Sequence, residues 1–203
     1  VAATATGAII AAPAGAVTGL SVTPADQSLV LSWTAPTYLG GAPITDYAID
    51  YSVDGTQWFS SVRSASPTPS HTITSLTNGT PYQVRVRALN GVTGRAAIDA
   101  SGVIPRGVPQ NTVAPAITMH PNSASAPQIG KAITADTGTW LANGAAVSSV
   151  SYQWQLGDGS SWTNISGAVS ASYTPVANVG SRLRVLVTAT NAGGANTASS
   201  LMT

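Results

Sequence analysis

The chain has 203 residues, a formal net charge of +1 and an unusually low charged fraction of 7%. It contains no run of basic residues and no cysteine, which argues against a nucleic-acid partner and excludes thiol or zinc–thiolate chemistry. No apolar stretch is long enough to span a bilayer, so we expect no membrane insertion.

Residues 1–13 are small, rich in Ala, Thr and Gly, and end in proline. This composition predicts a linker. The alternative is an extended arm, in which Ile9 and Ile10 dock on a neighbouring subunit and pair with a sheet edge. The segment lacks the basic start of a signal peptide and has no initial Met, so we expect a processed product or a piece of a longer protein.

Residues 14–106 predict seven short antiparallel strands with turn signals between them, as in a two-sheet sandwich. The strongest strand follows the Asn78-Gly79 turn, where apolar and polar residues alternate up to Asn90. Other apolar residues alternate in the same way and predict buried strand faces: Leu29, Leu31 and Trp33, then Tyr47, Ile49 and Tyr51.

These residues, together with Leu76-Thr-Asn-Gly-Thr-Pro-Tyr82, resemble a fibronectin type III domain. The resemblance implies that the Tyr82 hydroxyl ties back to the backbone of the preceding loop. The Gly-rich loop before Ile44-Thr-Asp-Tyr47 is similar to those of bacterial and bacteriophage versions of the domain.

Residues 107–115 carry Pro109 and Pro115 and predict a semi-rigid linker. The strand pattern then returns in residues 116–203, where Asn191 lies 101 residues after Asn90 (191 − 90).

This second segment resembles a bacterial immunoglobulin-like repeat. Its motifs are Gly138-Thr-Trp140, which we expect to form a turn, Tyr152-Gln-Trp154, Ile165-Ser-Gly-Ala168 and Val185-Leu-Val-Thr-Ala-Thr-Asn191.

No set of residues predicts an active site, a metal site or a cofactor site. His71 and His120 fall in different domains, and nothing in the sequence brings them together. Asp46 and Asp50 are expected on the outward face of one strand, facing Arg85 and Arg87 on its neighbour, which predicts cross-strand ion pairs rather than acid–base catalysis.

Asp54-Gly55 and Asp158-Gly159 each place a single acid in a turn, which favours turn formation over calcium binding. Tyr38, Trp58 and Trp162 fall in predicted loops or edge strands. They are candidates for glycan or partner contact, with packing at a strand edge as the alternative.

The sequence therefore predicts an all-β chain of two tandem antiparallel β-sandwiches, fibronectin type III-like and then immunoglobulin-like. The expected function is that of a non-catalytic structural or adhesive module on a bacteriophage virion or bacterial surface appendage. Its expected partners are other protein subunits of the particle, with cell-surface glycans as a further candidate, and its expected location is extracellular, at a cell or virion surface. The alternative is a spacer with a carbohydrate-binding module from a secreted polysaccharide-degrading enzyme.

Overall fold

The computed structural model describes residues 12–92, 100–122, 126–176 and 181–201, and these contain strands and turns but no helix. The chain divides into two compact units, one ending at Pro105 and the other beginning at Arg106. Both are built from antiparallel strands, so the predicted all-β fold class is confirmed. The prediction of an N-terminal arm falls almost wholly on residues 1–11, outside the described residues.

Unit 1 forms two antiparallel sheets. Its strands are β1 (Thr18–Ala25), β2 (Ser28–Thr34), β3 (Asp46–Ser52), β4 (Phe59–Ser60), β5 (Ser70–Ile73), β6 (Tyr82–Leu89) and β7 (Ala100–Val103). One sheet has the order β1-β2-β5 and the other the order β4-β3-β6-β7. This is the two-layer arrangement that the short alternating strands predicted.

The core of unit 1 lies between these sheets, and the predicted alternation decides which side chains enter it. Every second residue of β6 is buried, and Leu29, Leu31 and Trp33 of β2 face inward in the same way. Trp33 meets Tyr47 edge to face, with ring centroids 5.0 Å apart. The inward faces predicted for β2, β3 and β6 are therefore confirmed.

The predicted tie at Tyr82 is also present. The Tyr82 hydroxyl accepts a hydrogen bond from the Thr77 backbone N–H at 3.1 Å. In the same turn the Gly79 N–H donates to the Pro105 carbonyl at 2.9 Å, and Gly79 has φ +84°, a value that favours glycine. The loop before β6 is thereby fixed to the strand it precedes.

Unit 2 contains nine strands in its described residues. They are β8 (Gln110–Val113), β9 (Ile117–Thr118), β10 (Ile133–Ala135), β11 (Thr139–Leu141), β12 (Ser149–Gly157), β13 (Trp162–Asn164), β14 (Ser172–Tyr173), β15 (Arg182–Asn191) and β16 (Gly194–Ser199). A four-stranded sheet has the order β13-β12-β15-β16, a three-stranded sheet the order β14-β10-β9, and β8 pairs with β11.

The structure differs from the sequence expectation at β8 and β11. Residues 110–113, expected in the linker, pair with Thr139–Leu141, of which Thr139 and Trp140 were expected in a turn. Pro109 and Pro115 flank β8 without interrupting it, so all four of its residues keep their backbone N–H groups. Gly138 supplies the turn just before β11, with φ +67°.

The core of unit 2 is centred on Trp154 of β12, which is completely buried. Its indole N–H donates to the Ser170 carbonyl at 2.9 Å, and its ring lies 5.6 Å from that of Tyr173. Val185 and Val187 of β15 pack in the same cluster. The alternating pattern that occurs twice in the sequence therefore corresponds to β6 in unit 1 and β15 in unit 2, each of which buries every second residue.

Candidate contact surface

The hairpins β3–β4 and β12–β13 are closed by the two single acids found in the sequence. The Asp54 carboxylate accepts hydrogen bonds from the N–H groups of Gln57 and Thr56, each at 2.8 Å. These bonds hold the pKa of Asp54 well below its ordinary value. The prediction that Asp54 has a role in turn formation is confirmed.

Asp158 has the same role in unit 2. Its carboxylate accepts hydrogen bonds from the backbone N–H groups of Ser161 and Ser160, each at 2.8 Å. The bond from Ser161 is the largest cause that lowers the pKa of Asp158 to about 2. Among the described residues, no group of three or more His, Asp, Glu or Cys side chains is arranged to hold a metal ion.

Both candidate tryptophans lie beside these hairpins, and each is contacted by an arginine. The Arg85 guanidinium lies 3.5 Å from the centroid of a Trp58 ring, and the Trp58 indole N–H donates to the Gly55 carbonyl at 3.1 Å. Trp58 is half-buried. Part of its ring surface is therefore occupied within its own domain.

Trp162 repeats this arrangement in β13. The Arg184 guanidinium lies 4.3 Å from the ring centroid. The indole also lies against Gly157, where an added Cβ would come within 2.9 Å of two ring carbons. The sequence suggested both tryptophans as candidates but gave no indication of their arginine neighbours.

Tyr38 is in a different setting, with 61% of its surface exposed. It lies in the loop between β2 and β3 and borders a groove of about 440 Å³, which is otherwise lined by residues 12–16. The Gly15 N–H donates to the Tyr38 carbonyl at 2.8 Å, which fixes the loop while the phenol stays accessible. Of the three predicted contact residues, Tyr38 is the most open to solvent.

The predicted cross-strand ion pair is present between Arg87 of β6 and Asp50 of β3. Asp50 also accepts a hydrogen bond from the Ser60 hydroxyl at 2.7 Å. The expectation that Asp50 would be outward and exposed is wrong in one respect, because only 4% of its surface is accessible. Its neighbours on β4 and β6 cover it and satisfy the buried carboxylate.

Asp46 has a partner that the sequence did not indicate. The Arg63 guanidinium lies 3.6 Å from the Asp46 carboxylate, and the Ser66 N–H donates to the same carboxylate at 3.0 Å. Arg63 follows β4 in an irregular segment. No strand periodicity could have placed it opposite Asp46.

Unit 2 has a similar cross-strand row of polar side chains, with the amide of Gln155 at its centre in place of the Asp50 carboxylate. Gln155 of β12 donates through Nε2 to Asn164 Oδ1 at 2.7 Å and accepts from Arg184 Nε at 2.7 Å. Gln155 is opposite both Asn164 and Arg184 in register, as Asp50 is opposite Ser60 and Arg85 in unit 1. A neutral side chain therefore stands in unit 2 where unit 1 has a carboxylate.

The two histidines form no catalytic arrangement in the described part of the chain. His71 Nε2 lies 2.8 Å from the Ser61 hydroxyl, and burial together with the nearby Arg63 charge lowers the pKa of His71. No carboxylate among the described residues is hydrogen-bonded to His71. His120 belongs to the other unit, where its Nδ1 accepts the Asn122 N–H at 3.2 Å.

No helix in the described residues has the length and apolarity needed to cross a membrane.

Comparison with known proteins identifies the family of the first unit. Residues 15–100 match the family model of the fibronectin type III domain, so this unit is a fibronectin type III domain. Such domains generally mediate protein–protein contacts in structural or adhesive proteins, which suggests a non-catalytic module. They also occur in extracellular proteins.

The similar curated proteins are much longer than this chain. M-protein of striated muscle from Gallus gallus is 41% identical over 66 residues, which cover 32% of this chain and 5% of that protein. Myomesin-2 from Homo sapiens is 33% identical over 66 residues, which cover 32% of this chain and 4% of that protein. Both relatives are vertebrate proteins, and neither is of the bacterial or bacteriophage kind expected from the sequence.

Two solved structures match this chain at low identity. The twitchin kinase region from C. elegans has a TM-score of 0.42 and 24% identity, covering 46% of this chain and 17% of that chain. The chicken CNTN1 FN1–FN3 domains have a TM-score of 0.42 and 16% identity, covering 93% of this chain and 67% of that chain.

Proposed function

We propose that the chain is a non-catalytic structural or adhesive module that holds protein subunits together at the surface of a bacteriophage virion or a bacterial appendage. One observation carries this proposal: the acidic side chains among the described residues are engaged within their own domains. Asp46 and Asp50 pair with arginines, while Asp54, Asp136 and Asp158 accept hydrogen bonds from backbone N–H groups.

The composition of the surface supports contact with other proteins. Only 7% of all residues are charged. Large apolar side chains are exposed in unit 1, among them Val62 at 96%, Val53 at 53% and Phe59 at 46%. A surface with few charges and accessible apolar groups can approach a neighbouring subunit with little desolvation of charge.

Two sequence features support a location on a virion or bacterial surface. The Gly-rich loop before Ile44 and the tryptophan motifs of unit 2 resemble bacterial and bacteriophage repeats. Unit 2 is, on this proposal, the immunoglobulin-like repeat, with residues 107–109 as the short connection. Its buried Trp154 and the absence of cysteine agree with a sandwich stabilised by burial without a disulfide.

A second candidate function, a spacer with a carbohydrate-binding module, is favoured by the exposed Tyr38 ring beside its groove. An aromatic ring that is open to solvent can stack on a sugar. Calorimetric titration with soluble polysaccharides tests this function. Binding that is lost in Tyr38→Ala, Trp58→Ala or Trp162→Ala would favour the carbohydrate module over the contact module.

Sedimentation velocity across a wide concentration range tests the leading proposal. The full chain is compared with a form that lacks residues 1–12. We expect the full chain to assemble as concentration rises and the shortened form to assemble less. An elongated monomer in both forms at all concentrations would contradict assembly by this chain and favour the spacer function.

A further inference from the structure

The two units carry the same cross-strand row on their four-stranded sheets, but with different charge. In unit 1 the row contains the Asp50 carboxylate, which faces Arg85 in register and pairs with Arg87. In unit 2 Gln155 takes the place of Asp50 and faces Arg184. The residue two positions beyond Arg184 is Leu186, so this row has one cation and no acid.

Arg184 is held in place by two contacts. Its Nε donates to Gln155 Oε1 at 2.7 Å, and its guanidinium lies over the Trp162 ring at 4.3 Å. Gln155 is in turn fixed by its bond to Asn164, and only 8% of its surface is exposed. The guanidinium therefore loses little conformational freedom when it takes a further partner.

The positive charge at Arg184 is not compensated within the described part of the chain. Among the described residues no carboxylate lies within 4.0 Å of it, its one hydrogen bond there is the bond from Nε to Gln155, and Arg184 is partly exposed. Unit 2 has two acids, Asp136 and Asp158, and both accept hydrogen bonds from backbone N–H groups.

We propose that the outward face of β12 and β15 around Arg184 is a docking site for an acidic segment of a partner protein. This inference rests on the proposed contact function and names the chemistry of the partner. The terminal nitrogens of Arg184 present the fork that pairs with a carboxylate. Trp162 packs beside the pair and limits its access to water.

The test is a titration of the full chain with a capped hexaglutamate peptide, followed by 1H–15N NMR. At low ionic strength, where the screening length is about 30 Å, we expect shifts centred on the Trp162 indole N–H and the amides near Arg184. A hexaglutamine peptide should leave these signals unchanged. The shifts should disappear near 1 M salt, where the screening length is about 3 Å.

Two variants of unit 2 and one of unit 1 test whether the charge of Arg184 binds the peptide. Arg184→Gln should weaken binding about tenfold or more, because it removes the charge that pairs with the peptide. Gln155→Glu should weaken binding by a similar factor while Arg184 is retained, because it supplies the internal carboxylate found in unit 1. Arg85→Gln in unit 1 should have no effect on the shifts.

Several results would overturn the proposal. Equal binding of the hexaglutamate and hexaglutamine peptides would show that charge is not recognised. Unchanged affinity in a folded Arg184→Gln variant would remove this residue from the site. Shifts produced by trigalacturonate but not by hexaglutamate would assign the face to acidic sugars instead. None of these results depends on whether the chain assembles, so failure here is distinguishable from failure of the proposed function.

Discussion

Asn90 and Asn191 occupy equivalent positions at the ends of β6 and β15, and each ties three parts of its own unit together. Asn90 Nδ2 donates to the Ala12 and Leu39 carbonyls, at 2.8 and 2.7 Å. Asn191 Nδ2 donates to the carbonyls of Gly107, Ala142 and Ala145, at 2.7 to 3.1 Å. Each side chain is only 5% exposed. The spacing of 101 residues found in the sequence thus marks a repeated structural role.

Asn90→Ala and Asn191→Ala should each destabilise the unit that contains the substitution. Loss of the amide leaves carbonyl groups in buried or part-buried hydrogen bonds without their donor, which costs about 1–3 kcal/mol. Chemical denaturation with unit-specific NMR signals measures the effect. Asn122→Ala, at an exposed position, is the control and should change stability by less than about 0.5 kcal/mol. Equal effects of all three substitutions would contradict the proposed role.

Tyr82→Phe should destabilise unit 1 by about 0.5–1.5 kcal/mol, because it removes the acceptor of the Thr77 N–H while keeping the ring in the core. Tyr152→Phe in unit 2 is the matched control, since no hydrogen bond of the Tyr152 hydroxyl occurs among the described residues. The free energy of unfolding of each unit is the measurement. A Tyr82→Phe variant as stable as the parent would show that the hydroxyl adds nothing.

Gly138→Ala should separate β8 from β11. A Cβ at Gly138 would lie 2.4 Å from the Val113 carbonyl oxygen, and the residue has φ +67°. Gly167 has a similar φ of +75° with open space around it, so Gly167→Ala reports the backbone strain alone, about 1 kcal/mol. We expect Gly138→Ala to cost at least about 1 kcal/mol more in thermal or chemical unfolding. Equal costs at the two positions would exclude the steric explanation.

Asp158 should stabilise unit 2 in a defined pH range. Its pKa in the folded chain is lowered to about 2, from an ordinary value of 3.8. Because the pKa of Asp158 is lower in the folded chain than in the unfolded chain, its ionised carboxylate stabilises the fold at pH values above the unfolded-state pKa. This stabilisation is lost as the pH falls through the pKa of the folded chain. The parent should therefore have a higher Tm than Asp158→Asn, with the largest difference above about pH 5. The difference should disappear towards about pH 2. A difference that is constant with pH would exclude this carboxylate as its source.

Much of the fold could be predicted because short segments of the sequence encode their own strands and turns. The alternation in β6 and β15 indicates a buried face without any knowledge of the partner strand. Asn78-Gly79 and the single acids at Asp54 and Asp158 specify their turns through the conformations and hydrogen bonds available to those residues.

Other features depend on contacts between distant segments. The sequence does not predict the pairing of β8 with β11, because Pro109 and Pro115 are also typical of linkers. The burial of Asp50 follows from side chains on two neighbouring strands, and the position of Arg63 follows from an irregular segment. The correspondence between Asp50 and Gln155 follows from the strand register, in which each faces an arginine of the neighbouring strand. These are properties of tertiary packing, which local sequence patterns do not encode.

The central claim, that the chain acts through contacts of its surface and not through internal chemistry, is tested most directly by hydrogen–deuterium exchange at low and high protein concentration. The account predicts that assembly slows exchange in segments next to exposed apolar side chains, such as residues 59–62 and 38–39. Exchange in the core strand β6 should be unchanged. Identical exchange at both concentrations in every segment would contradict the account.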